Sequence, residues 1–119
     1  MCPWGNKTQN CKLAHFSGCG PNTAAVGVLI DGQSPFGLND MAGNVWEFVS
    51  DMDDKNDYKN SPPKDPKGPS SNVDPNSVDR VLRGGCFECT TDMLRTSARK
   101  ATKCPYLSAD AGIRCCRAL

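Results

Sequence analysis

Eight cysteines in a chain of 119 residues constrain this fold more than any other feature of the sequence. A dense, even set of cysteines in a small chain signals disulfides and an oxidising compartment, so an extracytoplasmic setting, periplasmic or secreted, is expected. A chain of this length buries roughly two thirds of its unfolded surface, which leaves a modest core with little margin. Only 38% of the residues are apolar, and 11 Gly with 9 Pro favour turns over long helices. The expectation is one unit over residues 1–119, α+β in class, built mostly of short β-strands and long loops with little regular secondary structure. Metal binding competes with disulfides for the cysteines. A zinc site needs two ligand pairs at suitable separation, however. Here the C-x-x-C of Cys86 and Cys89 is accompanied only by the adjacent Cys115 and Cys116 and by a single histidine, His15. Cys11 and Cys19, inside a stretch rich in Gly, Asn and Pro, are the first expected bridge.

Charge removes several partner classes. The formal net charge is +1 and no run of Lys or Arg exceeds two residues, so neither nucleic acid nor an acidic membrane surface is expected as a partner. No segment approaches the ~20 consecutive apolar residues of a membrane span. The opening MCPWGNKTQN lacks the apolar run of a signal peptide, so an export signal, if the protein has one, lies upstream.

Patterning then places the elements. Residues 24–30 (AAVGVLI), followed by Asp31-Gly32, predict a buried strand. Residues 45–50 predict a second, with Val45, Glu47 and Val49 alternating against Trp46, Phe48 and Ser50. Residues 51–79 are polar and proline-rich and read as a long surface loop. Strands are expected to resume at residues 80–83, break at Gly84-Gly85, and continue through residues 93–98 and 111–116.

Six phrases, taken in order, resemble the formylglycine-generating-enzyme, or sulfatase-modifying-factor, family. They are Pro3-Trp4-Gly5-Asn6, Ser34-Pro35-Phe36-Gly37-Leu38, residues 40–47 (DMAGNVWE), residues 80–85 (RVLRGG), Leu94-Arg95 with Arg99, and Gly112-Ile113-Arg114-Cys115. The resemblance implies a C-type-lectin-like fold. It also implies that the chain corresponds to the second half of a domain about twice as long. Such a chain is either a fragment or a shortened relative that completes its core as a homo-oligomer.

The resemblance also assigns candidate sites. In the family a calcium ion is held at positions matching Asp40, Gly43, Val45 and Glu47, the middle two through their carbonyls. Calcium takes six to eight oxygen ligands, and a tight turn at Gly43 suits that chemistry. Taken from spacing alone, Asp40 reads as a turn cap and Glu47 as a solvated strand residue. The family's oxidases bind copper(I) through two cysteines that follow the Gly-Gly; Cys89 matches the first, but Leu94 stands at the second. Cys86 replaces a usual serine, so Cys86 and Cys89 are the candidate catalytic and copper(I)-binding pair. The alternative is that both are structural, paired with each other or with Cys104, Cys115 or Cys116. Trp46 and Phe48 are expected in the core rather than in a ligand groove. Arg83, Arg95, Arg99 and Arg114 are expected to pair with acidic residues and loop carbonyls rather than to bind a sulfate or carboxylate. His15 receives no role.

Two functions follow. The missing second cysteine favours a non-catalytic, disulfide-braced, calcium-stabilised module that binds a peptide or protein ligand. The alternative is a copper- and oxygen-dependent oxidase that converts a peptide cysteine to formylglycine.

Overall fold

A computed structural model describes residues 1–66, 68–69, 79–103, 106 and 108–116. Four strands make one small mixed sheet: β1 (Trp46–Met52), β2 (Asp79–Arg83), β3 (Lys100–Lys103) and β4 (Ala111–Gly112), in the order β3-β2-β1-β4. β1 is antiparallel to β2, with Glu47 opposite Arg83 and Phe48 opposite Leu82, and β2 is antiparallel to β3. β4 joins the other edge of β1 in parallel, Trp46 facing Ala111. The helical content among the described residues is one turn at Asp57–Asn60 and two 3-10 turns, Ile30–Gly32 and Thr91–Leu94.

β1 follows from its alternation. Trp46 is buried and Phe48 packs beside it against Leu82 and Cys86, while Ser50 reaches solvent. Both aromatics are therefore core, as their size on a half-buried strand suggests. Burying Val81 and Leu82, the apolar centre of β2, contributes roughly 1.5–3 kcal/mol for each side chain. A second cluster, of Cys2, Ala14, Phe16, Ala42 and Leu94, fills the space between the N-terminal loops and the 3-10 turn at residues 91–94.

Three expected strands differ from what is observed. Residues 24–30 form no strand; Val26 is 83% exposed, Val28 and Ile30 are also exposed, and the segment ends in the 3-10 turn. The apolar run has no neighbouring strand to pair with among the described residues, so composition alone did not make it extended core. Residues 93–98 are a 3-10 turn and a bend, and the edge strand lies later, at Lys100–Lys103. The sequence there is polar because an edge strand with one covered face needs only Thr102 inside. The last strand is two residues long, since residues 113–116 turn outward. In the polar stretch, β1 extends to Met52 and a helical turn forms at Asp57–Asn60. Much of the remainder, residues 67 and 70–78, lies outside the described residues, as does Cys104.

The turn before β1 organises the loops. Gly43 and Asn44 both have left-handed backbones, φ 78° and 65°. A Cβ on Gly43 would lie 2.4 Å from the His15 carbonyl oxygen, so only glycine allows this approach. Asn44, 6% exposed, donates its N–H to the His15 carbonyl at 2.7 Å and accepts from Phe87 N–H at 2.8 Å. Its side-chain amide meets both backbone groups of Ala24, accepting from N–H at 2.9 Å and donating to the carbonyl at 3.2 Å. Four bonds from one residue thus tie three loops to the start of β1. Asn44→Ala strands the Ala24 groups and loses the side chain most tolerant of this backbone, and is expected to cost about 3 kcal/mol in urea unfolding. A loss below about 1 kcal/mol would refute the organising role.

Candidate functional site

Two disulfides are formed among the described residues. Cys11 and Cys19 close the N-terminal loop as expected, with Cα atoms 5.4 Å apart. Cys86 and Cys89 bond one another across a Cα distance of 5.0 Å, directly after the Gly84-Gly85 bend, where φ is 94° and 81°. Cys86 is buried beside Trp46 and Leu82, and Cys89 packs at the edge of the same cluster. The Cys89 N–H donates to the Cys86 carbonyl at 3.0 Å, so a tight turn presents both sulfurs to each other. Leu94, at the position matching the family's second cysteine, is 1% exposed and belongs to the other cluster, with Cys2 and Phe16. The structure thus joins Cys86 to Cys89 and gives Leu94 to packing. Cys2 is a buried thiol that accepts from Gln9 Nε2 at 3.3 Å, and Cys115 and Cys116 are exposed thiols.

The residues matching the calcium ligands gather in one place. Asp40, Gly43, Val45 and Glu47 all line a cavity of about 520 Å³ that is walled also by Val26, Leu38, Asn39, Ile113 and Arg114. Asp40 has a left-handed backbone, φ 53°, and its Oδ2 accepts from Gly27 N–H at 2.7 Å. Glu47 accepts from Arg114 through both oxygens, at 2.6 Å from Nη2 and at 3.1 and 2.8 Å from Nε. Nη2 also donates to the carbonyls of Asn39 and Asp40 at 3.1 and 3.2 Å. The hydrogen bonds it donates to Glu47 hold the guanidinium pKa above its ordinary value, against the burial that lowers it, with help from the charges of Glu47 and Asp40. Carboxylates and backbone carbonyls are the oxygen types calcium selects; of these groups Arg114 contacts the Glu47 carboxylate and the Asp40 carbonyl. Asp40, Gly43, Val45 and Glu47 are the residues that would hold such an ion, and they line one wall of this cavity. Among the described residues no three His, Cys, Asp or Glu side chains gather into a metal-holding group.

The other arginines behave as their forked donors predict. Arg83 donates to the Ala98 carbonyl at 2.9 Å, Arg95 Nε to the Asp92 carbonyl at 2.9 Å, and Arg99 pairs with Asp53 at 3.6 Å. His15 Nε2 lies 2.7 Å from the Asn22 carbonyl and braces a loop.

Sequence reasoning missed one polar cluster. Lys100 Nζ on β3 lies 2.8 Å from Tyr106 Oη and 3.5 Å from Asp110 Oδ2; Tyr106 donates to Asp110 Oδ1 at 3.1 Å. The ammonium also sits 5.6 Å from the centre of the Trp46 ring and 4.9 Å from that of Tyr106, a cation–π arrangement. Nothing in the spacing of a lysine, a tyrosine and an aspartate reveals that the sheet brings them over one tryptophan. Burial pushes the Asp110 carboxyl up, but the Ser108 hydrogen bond and the charge of Lys100 outweigh it and hold it below its ordinary 3.8. Burial likewise lowers Lys100, and the Tyr106 bond and Asp110 charge outweigh it, so its pKa is raised above 10.5. The stability from Asp110 is therefore full above pH 3.8 and is lost as pH falls through its depressed value. The stability from Lys100 is full below 10.5 and is lost as pH rises through its raised value. Lys100→Met is expected to flatten the alkaline loss in a urea-unfolding series from pH 7 upward; an unchanged alkaline limb would exclude this linkage.

A loop-rich fold with a four-stranded sheet and a glycine turn ahead of β1 defines a class that known proteins share. Residues 3–119 match the sequence model of the Sulfatase-modifying factor enzyme 1-like domain, and the chain belongs to that family. It is 38% identical over 82 residues to a formylglycine-generating enzyme of Streptomyces coelicolor, an alignment covering 66% of this chain and 24% of that protein. It is 37% identical over 86 residues to the serine/threonine-protein kinase pkn1 of Chlamydia pneumoniae, covering 71% of this chain and 13% of the relative. Among solved structures, Treponema denticola variable protein 1 superposes with a TM-score of 0.71 at 28% identity, over 86% of this chain and 34% of that one. CarF shares the fold at 17% identity and a TM-score of 0.59, over 88% of this chain and 32% of that one. The chain thus spans well under half the length of each of these relatives.

Proposed function

We propose that this chain is a non-catalytic sulfatase-modifying-factor-like module, lectin-like in its loops, that binds a peptide or protein ligand in an extracytoplasmic setting. The observation that carries this reading is the pairing of Cys86 with Cys89 while Leu94 is built into the core, which leaves no second thiol at the family's oxidase position. The ligand surface is the mouth of the cavity over residues 37–47. There Val26 and Ile113, each 83% exposed, form an apolar rim around Asn39 and the Arg114–Glu47 pair. Leu38, 45% exposed, extends that rim. Exposed apolar groups around a few fixed polar ones are the composition of a recognition site. Two disulfides suit an oxidising compartment, and no helix among the described residues is long and apolar enough to cross a membrane.

Two measurements test the reading. A Cys-x-Pro-x-Arg peptide incubated with the protein, oxygen and copper(I) is expected to yield no aldehyde by mass spectrometry, and aldehyde formation would overturn it. The environment-sensitive dye anilinonaphthalene sulfonate is expected to bind the rim and to lose most of its fluorescence gain in Val26→Asp/Ile113→Asp. An undiminished signal would remove the cavity mouth as the ligand surface.

A second reading, the copper-dependent oxidase, is favoured by the closeness of Cys86 and Cys89. Once reduced, two thiols this near form a soft pair suited to copper(I). It requires that the unreduced protein expose this pair to alkylation. Peptide mapping after iodoacetamide is expected to find both protected without reductant, and stoichiometric copper(I) uptake that Cys89→Ser abolishes would restore the oxidase reading.

A further inference from the structure

The two disulfides described above depend on their surroundings to different degrees. Cys11–Cys19 closes an irregular loop at a sequence separation of 8. Cys86–Cys89 spans a separation of 3 and lies in a turn that backbone hydrogen bonds already close. Within the turn the Cys89 N–H donates to the Cys86 carbonyl at 3.0 Å. Around it the Phe87 N–H donates to the Asn44 carbonyl at 2.8 Å, the Ser17 N–H to the Cys89 carbonyl at 3.1 Å, and the Gly43 N–H to the Gly84 carbonyl at 2.8 Å. These bonds involve no sulfur, so the turn keeps both side chains within reach of each other when the S–S bond is open. A bridge over so short a loop also removes little freedom from the unfolded chain.

The two sulfurs are unequally placed. Cys86 is 3% exposed and enclosed with Trp46 and Leu82, whereas Cys89 is only partly buried and stands between the exposed residues Glu88 and Thr90. Exchange proceeds by attack of a thiolate on one sulfur of the bond, and access helps to decide which. An incoming thiol therefore reaches Cys89, and the Cys86 sulfur leaves. The same cluster then shields the released Cys86, so Cys89 is also the sulfur that starts re-oxidation.

We propose that Cys86–Cys89 is a reversible thiol–disulfide couple that accepts two electrons from a dithiol peptide or protein through Cys89. One thiol of the dithiol attacks Cys89 Sγ as its thiolate; a mixed disulfide forms, the Cys86–Cys89 bond breaks, and the Cys86 sulfur takes up the proton. The second thiol then attacks the partner's sulfur in the mixed disulfide, which closes the partner's disulfide and releases Cys89 with the second proton. The dithiol loses two electrons and two protons, and this chain gains them. The couple needs no metal and no oxygen. It uses neither the rim of the cavity nor Leu94, so it stands apart from the ligand-binding reading.

Graded dithiothreitol, itself a dithiol, followed by acid quench, alkylation and peptide mapping tests this on the unaltered protein. Cys86–Cys89 is expected to open at a roughly ten-fold lower dithiothreitol concentration than Cys11–Cys19, with the near-ultraviolet circular dichroism of the folded chain retained. Glutathione disulfide is expected to leave its mixed disulfide on Cys89 in Cys86→Ser, while Cys86 in Cys89→Ser stays unmodified. Adducts at the exposed Cys115 and Cys116 fall on a different tryptic peptide and are scored separately. Should either variant fail to fold, the intermediate trapped from the unaltered protein with reduced glutathione decides the same point, and glutathione on Cys89 is expected. Equal resistance of the two bridges, loss of the fold when Cys86–Cys89 opens, or an adduct at Cys86 in place of Cys89 overturns the proposal.

Discussion

The left-handed turn at Gly43-Asn44 is the constraint on which the rest of this structure depends. A chain with so little regular secondary structure satisfies its backbone groups loop by loop, and an unpaired buried group costs about as much as a lost hydrogen bond. Asn44 answers that need for three loops at once, through His15, Ala24 and Phe87. Gly43 lets the His15 segment come close enough for those bonds to form. β1 then starts in a fixed direction, and its position sets both the Trp46 cluster and the register with β2.

Two kinds of cross-link secure what the small cores do not. The disulfides act locally: one closes a loop of sequence separation 8, the other a turn of separation 3. The ionic contacts act at long range. Arg114 joins the end of the chain to residues 39–47, and Lys100 joins β3 to Asp110 and to the Trp46 face of β1. Exposed ion pairs stabilise little. These two are bidentate or ring-stacked and only partly exposed, which makes them positional devices as much as energetic ones.

Family membership does not by itself fix the chemistry at the cysteines. The phrases that define the sulfatase-modifying-factor domain encode turns, strand starts and arginine clamps, which are requirements of the fold. An active site needs more, namely two thiols in reach of one another and of a substrate. In this chain Cys86 and Cys89 are bonded to each other, and Leu94 fills a core.

The sequence by itself determined the family, the loop-rich class, the Cys11–Cys19 bridge, the strands expected at residues 45–50 and 80–83 and found at 46–52 and 79–83, and the core roles of Trp46 and Phe48. These are local properties: periodicity over a few residues, turn chemistry, or cysteines eight positions apart. The importance of Asn44 was latent in the phrase at residues 40–47, but its four partners lie in loops that no periodicity connects. Only the tertiary structure decided that residues 24–30 are a partly exposed loop, that the edge strand is Lys100–Lys103, that Cys86 and Cys89 choose each other, and that Arg114 stands on Glu47. Each is a choice among partners far apart in sequence, settled by which groups the folded chain brings within bonding distance.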